Sequence, residues 1–343
     1  MQHIKVLLVD DSGFMRLLIK DMLAIEPSIE ILDVALDGKE AFEKTKLLNP
    51  DVILLDLVMQ NYDGLYALQK IMKEVPKPII VLSGASEMHP EKVFEAMNAG
   101  AFDFVAKPGK ISRFRDIQHL LIHKIKAAGK VNTERLVYTQ NINNYPHTFE
   151  EHTPYKIIVI GASTGGTAAI ETILKNIPCN LPIPILIVQH IPSDFGYSFA
   201  DRLSRESPFE VKIPKHEEPL YDQGVYLAPS SSNLKLKEEN HGEMIRFLYS
   251  EETYPNFNFP SINMPMISAA EIFQEKSMGV LLTGMGTDGK DGLREIYHRG
   301  GFTIAQSKES SVVFGMPKAA IEEGVVREVV HLNDIPAYII NLF

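Results

Sequence analysis

The chain has one cysteine, Cys179, and no tryptophan. A single thiol excludes an intrachain disulfide, so stability must come from an ordinary apolar core, and a reducing, cytoplasmic setting is expected. Cys179, beside Pro178, reads as a small apolar filler. No apolar run reaches the ~18 residues that a membrane-spanning helix needs, so bilayer insertion is not expected. The opening MQHIKVLLVDDS lacks a basic segment followed by a long apolar one, and no secretory signal is expected. Basic charge is in deficit too, with 34 Lys and Arg against 44 Asp and Glu and a formal net charge of −10. Counterion release on nucleic acid needs clustered cations, so nucleic acid is not an expected partner. A protein partner met through a local patch stays open.

What the chain does have is apolar material in quantity. It is 45% hydrophobic and 23% charged over 343 residues, which suits two globular domains. Two halves each alternate strand and helix patterns. In the first, apolar runs fall at 4–10, 51–56 and 77–83, with a shorter one at 102–107, separated by helical patterns at 13–25, 38–48 and 64–75. Continuous apolar strands between amphipathic helices predict a parallel sheet covered on both faces. A closing helix over 111–127 places Ile111, Phe114, Ile117, Leu120, Leu121 and Ile125 on one side. Residues 128–153, rich in Asn, Thr and Glu, read as a linker between a domain at 1–127 and another at 154–343. The second half resumes with strands at 156–161, 183–190, 224–230, 279–286 and 302–307. Alternation over 232–250 around a polar turn signals an antiparallel hairpin, with the edge of the sheet as one place for it.

In the first half, Asp10 and Asp11 end the first strand, Asp56 the third, Ser83 the fourth and Lys107 the fifth, followed by Pro108. Carboxyl ends of parallel strands share one rim, where sites form. Three carboxylates on one rim repel unless a hard divalent cation such as Mg²⁺ sits among them. With Mg²⁺ and Lys107 masking charge, Asp56 gains the means to attack a phosphoryl group. These residues resemble those of two-component receiver domains, which implies a flavodoxin-like, five-stranded parallel sheet. The resemblance implies that Asp56 is the phospho-acceptor, that Asp10, Asp11, Asp56 and the Val58 carbonyl hold Mg²⁺, and that Ser83, Phe104 and Lys107 are switch residues. Gln60 stands where receivers usually carry proline, a change expected to loosen that loop.

The second half opens on KIIVIGASTGG, a buried-strand pattern running into a turn that lifts Ser163 between Gly161 and Gly165. This is the G-x-S-x-G layout of a nucleophile elbow, where glycines make room for a sharp strand-to-helix turn. The turn lacks both the G-x-G-x-x-G spacing and the P-loop lysine of phosphate binders. A serine needs a base. His190 ends the next strand and should reach the same rim. The imidazole in turn needs an acid. Asp288 follows another strand, and Asp291 and Asp194 are rivals that spacing cannot exclude. His216, His241 and His298 read as structural, and His119 with His123 lack a third ligand for a metal.

GASTGG, QHIP, LLTGMGTDG and SSVVFGMP together resemble the catalytic domain of the chemotaxis protein-glutamate methylesterase family, CheB. With the receiver-like half, the resemblance covers nearly the whole chain apart from the linker. It implies a doubly wound, mainly parallel α/β hydrolytic domain that hydrolyses glutamyl methyl esters and deamidates glutamines on membrane chemoreceptors. It implies that Ser163 is the nucleophile, His190 the base and Asp288 the orienting acid, with Thr164 and Met285 N–H groups as oxyanion hole. The catalytic half calls for no cofactor. Expected partners are methyl-accepting chemoreceptors and a chemotaxis histidine kinase as phosphodonor, and a monomer is expected.

One departure is plain. Where the family usually has a basic stretch before Pro-Ser-x-Asp, this chain has Phe257, Asn258, Phe259 and Asn263. If that stretch lines the cleft, apolar contact replaces charge recognition. It motivates a rival reading, a signalling adaptor that binds without turnover; a third is a nucleotide- or phosphate-binding domain. For control, the receiver is expected to cover the Ser163 cleft until Asp56 is phosphorylated, drawing Ser83 and Phe104 inward. Reversing such a switch takes ~5.5 kcal/mol, within reach of two or three charge-assisted hydrogen bonds of ~1.5–3 kcal/mol each.

Overall fold

The structure, a computed structural model, describes residues 3–83, 90–107, 114–131, 155–239, 244–252, 254 and 260–343. Pro108, Ile111, the side chain of Phe114, His241, most of the expected linker (132–153) and the run Phe257, Asn258, Phe259 lie outside the described residues. The chain divides into two units, Met1–Thr139 and Gln140–Phe343.

In the first unit, strands β1 (Ile4–Val9), β2 (Ile29–Ala35), β3 (Val52–Asp56), β4 (Ile79–Ser83) and β5 (Asp103–Ala106) form one sheet in the order β2-β1-β3-β4-β5. Every pairing is parallel. Helices α1 (Gly13–Leu23), α2 (Gly38–Leu48), α3 (Gly64–Glu74), α4 (Pro90–Asn98) and α5 (Phe114–Ala128) connect or close it. The first three start where Ser12, Asp37 and Asp63 accept a backbone N–H at the N-cap. The strand order reverses between β1 and β3, which opens a crevice at their carboxyl ends. β2 escapes the list of apolar runs because it is a partly exposed edge strand, with Glu30 and Asp33 breaking its hydrophobic stretch. On α5 the predicted apolar side needs correction. Leu121, Ile122, Ile125 and Ala128 are buried, but Leu120 is 41% exposed. Gln118 takes an inner place instead, donating to the Met22 carbonyl at 2.8 Å.

The second unit holds a seven-stranded sheet in the order β14-β13-β12-β6-β7-β9-β8. Its strands are β6 (Ile157–Ala162), β7 (Ile185–Gln189), β8 (Val211–Lys212), β9 (Val225–Leu227), β12 (Ser277–Leu281), β13 (Phe302–Gln306) and β14 (Glu328–Val330). All pair in parallel. Helices α6 (Gly166–Asn176), α7 (Gly196–Glu206), α8 (Asn263–Phe273), α9 (Lys290–His298), α10 (Met316–Glu322) and α11 (Ile335–Ile340) complete it. The first strand, β6, is central, and the chain winds first to the β7 side and then back to β12. The topological switch therefore falls at β6, whose residues are all buried. The edge strands β8 and β14 are too short for their periodicity to be read from sequence.

The hairpin of β10 (Asn233–Glu239) and β11 (Met244–Ser250) forms a separate two-stranded sheet, not an edge of the main one. The reason lies in its hydrogen bonds and its buried face. β11 turns its free edge to residues 217–220, with Glu217 N–H donating to the Phe247 carbonyl, Phe247 N–H to Glu218 and Leu220 N–H to Ile245. Leu234, Leu236 and Phe247 point into the core, and Phe247 packs on Tyr226 with ring centroids 4.7 Å apart. Cys179 is also corrected: it is exposed, in the turn after α6, so it fills no core space. Because the hairpin is part of the core, Phe247→Ala should destabilise the second unit by about 3–5 kcal/mol. Denaturant unfolding checks this, and a loss below ~1 kcal/mol would mean the hairpin is only a surface appendage.

Candidate active site

Ser163 follows β6 directly. Its N–H donates to the Thr283 carbonyl at 3.1 Å, and its carbonyl accepts from Gly166 N–H at 2.7 Å. The flanking glycines answer to close approach. A Cβ on Gly161 would come 2.3 Å from Ile262 Cγ2, and one on Gly165 would come 2.7 Å from Val312 Cβ. Gly165 also has φ +76°, a left-handed conformation that side chains rarely adopt. In a strained elbow the nucleophile itself carries the unusual backbone. Here Gly165 carries it, and Ser163 is not among the positive-φ residues.

His190 follows β7, its N–H bonded to the Ala162 carbonyl at 3.1 Å. Its Nδ1 lies 3.2 Å from Ser163 Oγ and its Nε2 2.8 Å from Asp288 Oδ2. A carboxylate only accepts, so the ring carries its proton on Nε2 and offers the Nδ1 lone pair to the serine hydroxyl. Asp288 is 1% exposed. Its carboxylate also accepts from Ser261 Oγ at 3.2 Å and from the N–H groups of Ile262 (2.8 Å), Asn263 (3.2 Å) and Gly289 (3.0 Å). That shell replaces the water a buried charge has lost. The rivals are engaged elsewhere. Asp291 accepts from Tyr254 OH at 3.0 Å and pairs with Arg294 at 2.7 Å. Burial and that bond push the Tyr254 phenol up to about 12. Asp194 is exposed beside Ser193.

Thr164 and Met285 sit on peptides whose carbonyl sides are anchored. The Ser163 carbonyl accepts from Gly166, and the Gly284 carbonyl from Gly315 N–H (3.1 Å) and Met316 N–H (2.9 Å). Peptide planarity sends the Thr164 and Met285 N–H groups away from those anchors. Thr283 Oγ1 donates to the Thr164 carbonyl at 3.0 Å. A Cβ on Gly284 would stand 2.2 Å from Met316 Sδ, the end of a flexible side chain, and 2.8 Å from Ser163 Cβ.

Asn263 does not replace a charge at the cleft surface. It is buried, and its Oδ1 accepts from Gly292 N–H at 2.8 Å. With Ser261 and Ile262 it forms the cradle of Asp288, some 25 residues away in sequence. Nothing in the spacing of PSIN signals that role, because main-chain groups do most of the work.

In the first unit, Asp10, Asp11 and Asp56 bring one carboxylate oxygen each within 4.8 Å of one another. Lys107 Nζ lies 2.7 Å from Asp10 and 2.6 Å from Asp56. Burial pushes the Asp56 carboxyl up, and Lys107 opposes it. Burial likewise works to lower the Lys107 ammonium, but Asp56 and Asp10 outweigh it and the net direction is up. Val58 N–H donates to Asp56 at 3.2 Å. Ser83 ends β4, and its carbonyl takes the Lys107 N–H. Phe104, on β5, is buried, with Lys124 Nζ 5.7 Å from its ring centroid. Gln60 ties its loop instead of loosening it: its N–H, which proline lacks, donates to Asp11 at 3.2 Å.

The two units thus define a class: a serine–histidine–aspartate line on one parallel sheet, joined to an acidic receiver-type rim on another. The model of the CheB methylesterase family matches residues 158–339, and that of the response regulator receiver domain matches residues 6–118. A protein-glutamate methylesterase/protein-glutamine glutaminase of Thermotoga maritima is 40% identical over 341 residues, covering 99% of this chain and 98% of its own. One from Carboxydothermus hydrogenoformans is 39% identical over 335 residues, covering 98% of each. The crystal structure of the Thermotoga maritima CheB methylesterase catalytic domain superposes with a TM-score of 0.53 at 41% identity, over 55% of this chain and 99% of that one. The chain belongs to the CheB methylesterase family, with an N-terminal response regulator receiver domain. Gly284→Ala should push Ser163 out of line with His190 and slow labelling by a serine-reactive fluorophosphonate about 10- to 100-fold. Circular dichroism should stay unchanged; labelling at the wild-type rate would refute the tight fit.

Proposed function

We propose that Ser163, His190 and Asp288 carry the reaction of this protein-glutamate methylesterase/protein-glutamine glutaminase. The observation that supports this reading is the unbroken line from Ser163 Oγ through both ring nitrogens of His190 to the buried carboxylate. His190 Nδ1 takes the hydroxyl proton as Ser163 attacks the side-chain ester carbonyl of a receptor glutamate. Asp288 steadies the imidazolium that forms. The N–H groups of Thr164 and Met285 receive the developing oxyanion, where one donor is worth about 3 kcal/mol. His190 returns the proton to the departing methanol and leaves an acyl-enzyme. It then draws a proton from water as the water attacks the acyl carbon; the bond to Ser163 Oγ breaks, His190 returns the proton to that oxygen, and the carboxylate is freed. A glutamine side chain follows the same course with ammonia leaving.

Asp10, Asp11 and Asp56 offer the hard oxygen donors that Mg²⁺ takes, and the Val58 carbonyl would complete the protein's share. When bound, the ion supplies positive charge against phosphoryl oxygens. An Asp56 carboxylate oxygen attacks the phosphorus of a chemotaxis histidine kinase's phosphohistidine, the P–N bond breaks and the kinase histidine leaves. Lys107 balances the added charge and the Ser83 hydroxyl donates to the transferred group. Phosphorylation of Asp56 then relieves inhibition of the Ser163 cleft by the receiver unit.

Ser163→Ala should lower methanol release from a methylated chemoreceptor by about 10⁴-fold or more. Asp288→Asn should lower it by about 10⁴-fold, because an amide keeps only one accepting oxygen. Turned toward the cradle donors, that oxygen leaves an NH₂ facing Nε2 and favours the wrong tautomer of His190; turned toward Nε2, it leaves the NH₂ against those donors. Equal rates for the wild type and Ser163→Ala would instead favour an adaptor that binds without turnover. Deleting residues 1–130 should raise the rate of the unphosphorylated protein; no rise would end the inhibition reading.

A further inference from the structure

Gln189 is the last residue of β7 and is 2% exposed. Its Nε2 donates to the Ser163 carbonyl at 2.9 Å and to the His190 carbonyl at 3.1 Å. Two carbonyl partners settle which end of the amide faces them, since only the NH₂ group can donate to both. Oε1 then lies toward Gly166, where a Cβ would come within 2.3 Å of it, and among the described residues it accepts no hydrogen bond. An apolar side chain of similar length would avoid that buried orphan oxygen. It would also release both carbonyls.

The bridge has a geometric consequence. The Ser163 carbonyl shares a planar peptide with the Thr164 N–H, so a carbonyl held by Gly166 and Gln189 together fixes the direction of that N–H. The same amide ties this peptide to the strand end that presents His190. Nucleophile, base and one oxyanion donor are therefore held in register by one side chain that touches none of the reacting atoms.

We propose that Gln189 is a positioning residue of the esterase site, locking the Ser163 turn to His190 and aiming the Thr164 N–H at the reacting carbonyl. The proposal rests on the reading of Ser163 and His190 as nucleophile and base. It is tested on the full-length protein by steady-state methanol release from a methylated chemoreceptor, with Gln189→Met, Gln189→Glu and Ser163→Ala. Gln189→Met keeps the length and removes the donors; kcat should fall about 10- to 100-fold with KM within about twofold of the wild type. Gln189→Glu can donate only while its carboxyl is protonated, and burial against two carbonyls favours that form. Its rate should therefore fall with rising pH over a range where the wild-type rate does not.

A wild-type kcat for Gln189→Met, or a raised KM with kcat unchanged, overturns the proposal. Should Gln189→Met fail to fold, the Gln189→Glu profile decides, and one parallel to the wild type overturns it. Ser163→Ala separates the two layers of the argument. Full activity in that variant sinks the nucleophile reading and this proposal with it. Loss of activity there, beside a wild-type kcat in Gln189→Met, removes only the role of Gln189.

Discussion

A carboxylate with almost no water around it, Asp288, governs the arrangement of the second unit's site. A buried charge must be met by donors or it neutralises. Here the donors come from His190, Ser261, Ile262, Asn263 and Gly289. Each bond does two things. It replaces lost hydration, and it fixes the oxygen that receives the Nε2 proton. Once that proton is placed, the other ring nitrogen can face the serine only as an acceptor. The start of α8 is thus built into the site through Asp288, and the loop before α9 both carries Asp288 and receives the Ser163 N–H on the Thr283 carbonyl.

The first unit solves a related problem with another device. Asp10 and Asp56 are buried, and Lys107 reaches both. The ammonium offsets part of the repulsion among the carboxylates while Asp11 stays exposed on the rim. Gln60 adds a backbone donor to Asp11, a bond that a proline there would forbid. In both units the polar groups collect at the carboxyl ends of strands beside the switch in strand order, where diverging connections leave a crevice. The same rule of winding makes both sites.

Much of this was readable in advance for a physical reason. β3, β4, β6 and β7 are buried along their whole length and β1 from Val6 on, so they give short apolar runs that end where the polar rim begins. A residue just past such a run lies on the rim, which is how Asp10, Asp56, Ser163 and His190 could be named. The hairpin was legible as a hairpin but not in its placement, because alternation describes one exposed face and not what covers the other. Leu120 and Cys179 show the limit of local pattern: an apolar side chain at the margin of a helix's buried stripe, or a small one in a turn, can still face water. The cradle of Asp288 was not legible at all. Backbone N–H groups carry no residue signature.

By itself the sequence determined the class of each half, the strands that reach each rim and the polar residues waiting at their ends. Those properties follow from local pattern, since strand burial and strand termination are written residue by residue. Tertiary structure put Asp288, and neither Asp291 nor Asp194, within hydrogen-bond reach of His190, turned the imidazole so that Nδ1 faces the serine, and placed Asn263 in the core. These are questions of distance between segments far apart in the chain. Only packing brings a donor within 3 Å of a chosen oxygen, and no local pattern encodes that separation.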